Sequence, residues 1–187
     1  QDVFSPNVIK QLYHRGIINK TIVEDKLLYQ VSDFYTRLEY FLLEDKARWK
    51  ALPEKIKREL DNWYVENFAR KTLDAAIQNN GFRSGVVLPF EIAITKITDL
   101  DGEIAIQDCD CRLFAENCQK PLNLCIQFNP NKPNTVYDRG YGRIVSKEEA
   151  ITILKQADDA GLMHLWEGTA ICNCCNCCCY PFRSAQA

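Results

Sequence analysis

The sequence predicts an α+β protein in two parts: a helical N-terminal region with a winged-helix-like remnant over residues 1–82, then a smaller cysteine-rich domain over residues 83–187. Three observations predict it. Apolar residues recur at helical spacing through much of the first part. A short polar, glycine-bearing link, Gly81-Phe-Arg-Ser-Gly85, breaks that pattern. All ten cysteines fall after the link, between Cys109 and Cys179. At 187 residues, 47% hydrophobic and 26% charged, the chain can bury a real core without covalent staples.

The elements follow in order. Ser5, Pro6 and Gly16 mark the cap, first position and end of a short helix. Ile17-Ile18 and Leu27–Val31 read as two short strands around a polar turn at Glu24-Asp25-Lys26. A helix followed by a two-stranded wing is the back part of a winged helix, a module that often binds DNA. The segment is not basic, and the charge test favours a docking or homodimerising element over nucleic acid. Ser32 is expected to cap the next helix, with Phe34, Leu38, Phe41 and Leu42 on one face. Pro53 opens the longest helical pattern, carrying Ile56, Leu60, Trp63, Tyr64, Phe68 and Ile77, with Asn80-Gly81 as its stop. Trp63 and Tyr64 read as core, with a subunit interface as the alternative.

After the link, residues 90–97 suit a short helix, since Ile94 and Ile97 follow Phe90 at near-helical spacing. Asp101-Gly102 turns the chain into a strand over 103–107 that delivers Cys109 and Cys111, whose side chains would point the same way in an extended segment. Asn129–Asn134 is a loop. Ser146-Lys-Glu-Glu149 is a capping box that starts a helix carrying Ile151, Leu154 and Ala157 and ending at Gly161. Leu162, His164, Leu165 and Trp166 then approach the last cysteines, as apolar cover for a site or as packed side chains.

The cysteine run decides the chemistry. Cys172, Cys174, Cys175, Cys177, Cys178 and Cys179 occupy eight consecutive positions, and Cys109, Cys111, Cys118 and Cys125 form an earlier group. Disulfides suit this poorly, because bridging neighbours strains the loop. Structural zinc stays open, since CxxC pairs such as Cys174/Cys177 and Cys175/Cys178 suit a tetrahedral site. Ten sulfurs, with only His14 and His164 in the chain and neither inside the groups, favour iron–sulfur clusters. Four cysteines per cubane allows two 4Fe-4S clusters, each held within one group or by groups that exchange a ligand. Asn173 and Asn176 suit a wrapped loop whose N–H groups face sulfur. Cys174 and Cys175, being consecutive, are expected either to serve two neighbouring clusters or to lie in a loop of turns around one.

The strings Cys109-Asp-Cys-Arg112, Cys118-x-x-Pro121-Leu122-x-x-Cys125, Ser146-Lys-Glu-Glu-Ala150, Ala160-Gly-Leu162 and Ile171-Cys-Asn-Cys-Cys-x-Cys-Cys178 together resemble cysteine-rich, ferredoxin-like iron–sulfur proteins of anaerobic bacteria and archaea. The resemblance spans residues 86–179. It implies cluster binding and redox work, hence single-electron exchange with a protein partner, as a carrier or as the electron-transfer component of an oxidoreductase. An Fe–S-dependent regulator acting through the wing, and an Fe–S enzyme with an open iron site, are the alternatives.

Charge and motifs narrow the remainder. Residues 1–108 carry 15 Lys+Arg against 17 Asp+Glu and residues 109–187 carry 8 against 8, so no basic nucleic-acid face stands out. Arg112, Arg139, Arg143 and Arg183 are candidates to offset an anionic cluster. No stretch is long and apolar enough to span a bilayer, and neither phosphate-loop nor dinucleotide fingerprints occur. No secretory signal opens the chain, which begins at Gln1 and not at a methionine. Many thiols imply a reducing compartment, and the cytoplasm of an oxygen-avoiding cell is the expected location.

Overall fold

The computed structural model describes residues 4–78 and 85–186. The expected helix stop at Asn80-Gly81 and the domain boundary at 82/83 lie outside the described residues. Within them are eight helices and two antiparallel sheets, and no described helix is long and apolar enough to cross a membrane.

The chain opens with α1 (Pro6–His14), whose Ser5 side chain accepts from the Val8 amide. Gly16 ends it in the left-handed region at φ 65°, with the Gly16 amide bonded to Tyr13 O and the Ile17 amide to Leu12 O. That is the helix-terminating geometry glycine favours. A Cβ at Gly16 would stand 2.5 Å from Tyr40 Cδ2. Gly16→Ala is therefore expected to cost about 2–3 kcal/mol from backbone strain and displacement of Tyr40, read as a lower denaturant midpoint at constant slope.

The expected hairpin is present as β1 (Ile18–Val23) and β2 (Lys26–Val31), joined through Glu24 and Asp25, both at positive φ. Its root is fastened from the far end of the chain. Buried Arg139 donates to Tyr13 O at 2.6 Å and Ile18 O at 2.9 Å, and Asn134 makes two 2.8 Å bonds to the backbone of Lys20. Lys20 Nζ lies 2.9 Å from the Asp138 carboxylate.

Helix α2 (Phe34–Glu44) is capped by Asp33, not Ser32: the Asp33 carboxylate accepts from Thr36 N at 2.9 Å. Ser32 instead closes the hairpin, its amide bonded to Ile17 O, which moves the helix start one residue on. A short helix the periodicity did not reveal, α3 (Lys46–Ala51), buries Trp49 completely. The long helix α4 (Glu54–Gln78) follows, with Tyr64 fully buried as the core reading expects, whereas Ile56 is exposed.

The six-stranded sheet has the order β3-β7-β8-β5-β4-β6, from β3 (Val86–Leu88), β4 (Ile104–Gln107), β5 (Cys125–Phe128), β6 (Arg143–Val145), β7 (Met163–Trp166) and β8 (Ala170–Cys174). Strand alternation sorts its two faces. Ile104, Ile106, Ile126 and Ile171 pack with Ala93 and Ile97 of α5 (Phe90–Thr98) and with Ala150, Ile153 and Leu154 of α7 (Lys147–Asp159). Both helices match their predicted spans, and Ser146 caps α7 by accepting from Glu149 N.

The opposite face presents Leu165, Cys172 and Cys174, and over it lie α6 (Asp110–Ala115) and α8 (Tyr180–Ser184). The outer sides of these two short helices complete a second core. Leu113, Phe114 and Tyr180 pack with Leu38, Leu42, Trp49 and Tyr64, so the N-terminal helices form the cover over the helices that carry cysteine.

Candidate metal centre

The expectation that Cys109 and Cys111 leave β4 in an extended segment is corrected here. Cys109 sits at the N-cap of α6 and Cys111 lies inside it, because the Leu113 amide bonds back to Cys109 O and begins a helical turn. The turn still brings the two sulfurs together, within 4.8 Å of each other and of an Asp110 oxygen. The last cysteines are likewise not only a loop of turns. Cys172 and Cys174 belong to β8, in register with Leu165 and Met163, and the chain turns only from Cys175 onward.

All ten cysteines are free thiols, and they divide into two sets that cut across the two sequence groups. Cys118 joins Cys175, Cys177 and Cys178, with all four sulfurs within 4.8 Å of one another. Cys118 Sγ lies 3.8 Å from Cys175 Sγ and 3.7 Å from Cys178 Sγ, and Cys177 Sγ lies 3.8 Å from Cys178 Sγ. Sulfurs ~2.3 Å from one ion at tetrahedral angles stand ~3.8 Å apart. The four thiols thus have the spacing of a single tetrathiolate site, assembled by one sulfur from the first sequence group and three from the second.

The other six line the sheet face. Cys125 Sγ is 3.9 Å from Cys172 Sγ, Cys174 Sγ is 3.3 Å from Cys179 Sγ, and Cys111 Sγ is within 4.8 Å of Cys109 Sγ. Consecutive Cys174 and Cys175 go to different sets, since β8 ends between them.

Residues far away in sequence brace the four-thiol set. Arg58 of α4 donates to Ala115 O at 2.7 Å and to Asn117 Oδ1 at 2.8 Å, while Asn117 Nδ2 donates to Cys177 O at 2.7 Å. Lys57 pairs with Glu116, which holds φ 50° as α6 ends. No spacing rule exposes Arg58, Lys57 or Asn117 in the sequence, because each works through a contact about 60 positions away.

Of the four candidate arginines only Arg112 faces sulfur. Arg139 serves the hairpin, Arg143 pairs with Glu149 at the surface, and Arg183 pairs with Asp61. Arg112 is buried, donates to Asn173 O at 2.7 Å and to Pro121 O, and carries its charge beside the Cys175 sulfur.

Thiol acidity differs sharply within each set. Burial pushes the Cys175 thiol up, but hydrogen bonds from Cys177 and Arg112 outweigh it and bring it down to about 7. Hydrogen bonds from Cys111 and Cys174 hold Cys179 down at about 4 against the effect of burial. Desolvation holds Cys111 far up, and the hydrogen bond between Cys125 and Cys172, with burial, holds Cys125 up as well. Each set therefore contains one ready thiolate, the form that ligates metal.

Asn173 does not present a free amide loop. Its buried side chain donates through Nδ2 to Leu124 O, leaving Oδ1 to accept from His164 Nδ1 at 2.7 Å. That arrangement fixes the His164 tautomer with hydrogen on Nδ1, and Asp158 lies 3.5 Å from Nε2. His164 thus positions β8 from behind the cysteine face. Asn173→Ala is expected to cost about 1–3 kcal/mol, since it leaves Leu124 O and His164 Nδ1 buried without partners, measurable by thermal unfolding. Asn176, by contrast, is an exposed turn residue.

Compared with known proteins, the chain matches no family model, no curated protein and no solved structure.

Proposed function

We propose that this protein is a thiolate-ligated iron protein that passes single electrons to and from a protein partner. The observation that carries the reading is the convergence of Cys118, Cys175, Cys177 and Cys178 at the sulfur separations one tetrahedral ion requires. Soft thiolates without imidazole select iron or zinc over hard cations. Cys118 and Cys177 are partly exposed, so the centre has an edge at the surface where a partner can dock. Arg112 supplies a permanent cation that favours the more negative, reduced state. The ferredoxin-like resemblance of residues 86–179 points the same way, and ten free thiols fit a reducing, cytoplasmic setting.

Sulfurs this close suit one ion better than a 4Fe-4S cubane, which sets a separate iron behind each thiolate and spreads the four apart. Zinc is the second reading, favoured by the same distances, and it would make the site a structural brace. The regulator reading has less support. The hairpin exposes Ile22, Val23, Leu27 and Val31, and the Lys20 ammonium is occupied by Asp138. An open-site enzyme also fits poorly here, because four thiolates complete a tetrahedron.

The test is metal content and redox response of the full chain prepared without oxygen. Bound iron whose thiolate charge-transfer absorption bleaches and returns in a one-electron titration supports the reading. Zinc with no redox response replaces it with the structural one, and a folded, metal-free protein ends both.

A further inference from the structure

The geometry points to a second metal centre of a different kind: a polynuclear iron–sulfur cluster held by thiolates drawn from Cys109, Cys111, Cys125, Cys172, Cys174 and Cys179. It rests on the iron reading above for the identity of the metal, but not on the four-thiol site itself.

Three observations carry it. The first is proximity. Cys125 and Cys172 sulfurs lie 3.9 Å apart, Cys174 and Cys179 sulfurs 3.3 Å apart, and Cys109 and Cys111 within 4.8 Å, while strand alternation sets Cys172 and Cys174 on one face of β8. Six thiols strung along a sheet face cannot converge on one tetrahedral ion, which takes four. Spread over several metal ions bridged by inorganic sulfide, thiolates from both ends of the row find separate partners.

The second is the donor pattern around the sulfurs. Gln107 Nε2 lies 3.8 Å from Cys125 Sγ and directs an N–H at it. Donors aimed at sulfur stabilise thiolate and tune cluster potential. A thiol used as apolar filler has no need of them.

The third is charge. Asp110 sits among the sulfurs with its carboxyl oxygen beside Cys109 and Cys111, and Arg112 is the cation buried between the two sets. A cluster held by thiolates is net anionic, and Arg112 is the buried cation placed to offset it. Cys174 and Cys179, at 3.3 Å, are the closest pair, yet they are not bonded to each other.

The experiment uses the full chain made without oxygen and measures iron, zinc and acid-labile sulfide per chain, with electron paramagnetic resonance after reduction. The wild-type protein is expected to contain sulfide. Cys111→Ser/Cys174→Ser is expected to lower sulfide about tenfold or more while one ion per chain remains, and Cys118→Ser/Cys178→Ser to remove that ion and leave sulfide in place. A sulfide-free wild type, or sulfide unchanged in Cys111→Ser/Cys174→Ser, overturns the inference. Metal content unchanged in Cys118→Ser/Cys178→Ser would instead sink the four-thiol site and spare this one. Should a variant fail to fold, alkylation of the native wild type decides. Protection of the six thiols that vanishes with chelator supports the cluster; ready alkylation, or a Cys174–Cys179 disulfide under anaerobic conditions, overturns it.

Discussion

Arg112→Met is expected to cost the fold about 3–5 kcal/mol, the range for breaking a buried charged interaction and stranding its partners, and to lower the reduction potential of the metal centre proposed beside it. Arg112 is almost fully buried and ties two segments together: the Pro121 carbonyl beside the Cys118 loop, and the Asn173 carbonyl within β8. Methionine fills similar volume but leaves both carbonyls unpaired. It also removes the cation beside Cys175, so the thiolate loses a stabilising partner, and the proposed centre, more negative when reduced, loses more in that state. Arg112→Lys should recover only part of the stability, because one ammonium cannot span both carbonyls as the planar guanidinium does. Denaturant unfolding of the anaerobic protein gives the first quantity and a redox titration the second. A variant as stable as wild type with an unmoved potential would mean that Arg112 only fills space.

Arg112 also illustrates how far this structure is legible in sequence. Its place in Cys109-Asp-Cys-Arg112 marks it as a candidate counter-ion, but three other arginines qualify equally until the fold assigns them to Asp61, Glu149 and the hairpin root. Helices with strong local signals are read correctly, as with Ser5-Pro6 for α1 and the capping box of α7, because a cap is a contact between residues three apart. The short helices α3, α6 and α8 escape, since six or fewer residues complete too little of a periodic pattern. The strand β8 escapes for another reason: a run of cysteines and asparagines carries no alternation of apolar and polar residues, and only its pairing with β7 and β5 makes it a strand. The ten cysteines point to a candidate metal site by number alone. Their division into sets of four and six does not, because it depends on which face of β8 each residue takes and on the register that brings Cys118 beside Cys175.

The ion pair between Asp61 and Arg183 gives a second large effect, and one that separates the two sulfur sets. Asp61 on α4 is buried, and Arg183 meets it as a two-pronged fork at 2.7 and 2.8 Å. Asp61→Leu leaves a guanidinium half-sequestered with no acceptor, at an expected cost of about 3 kcal/mol, the lower end for a broken buried pair because Arg183 keeps some access to water. Adding Arg183→Met should restore much of that loss, since an apolar pair of similar size packs where the ions did. The double-mutant cycle reads the coupling directly. Position makes the consequence more than structural. Helix α8 is only five residues long, holds Cys179 at its N-cap, and is fixed to α4 by this pair and by Tyr180. Loosening it displaces Cys179 from Cys174 and Cys111, whereas Cys118, Cys175, Cys177 and Cys178 keep their brace through Asn117 and Arg58. For the two proposed centres, Asp61→Leu is therefore expected to deplete sulfide well before it releases the single ion, and equal loss of both would show that the two sets share one support.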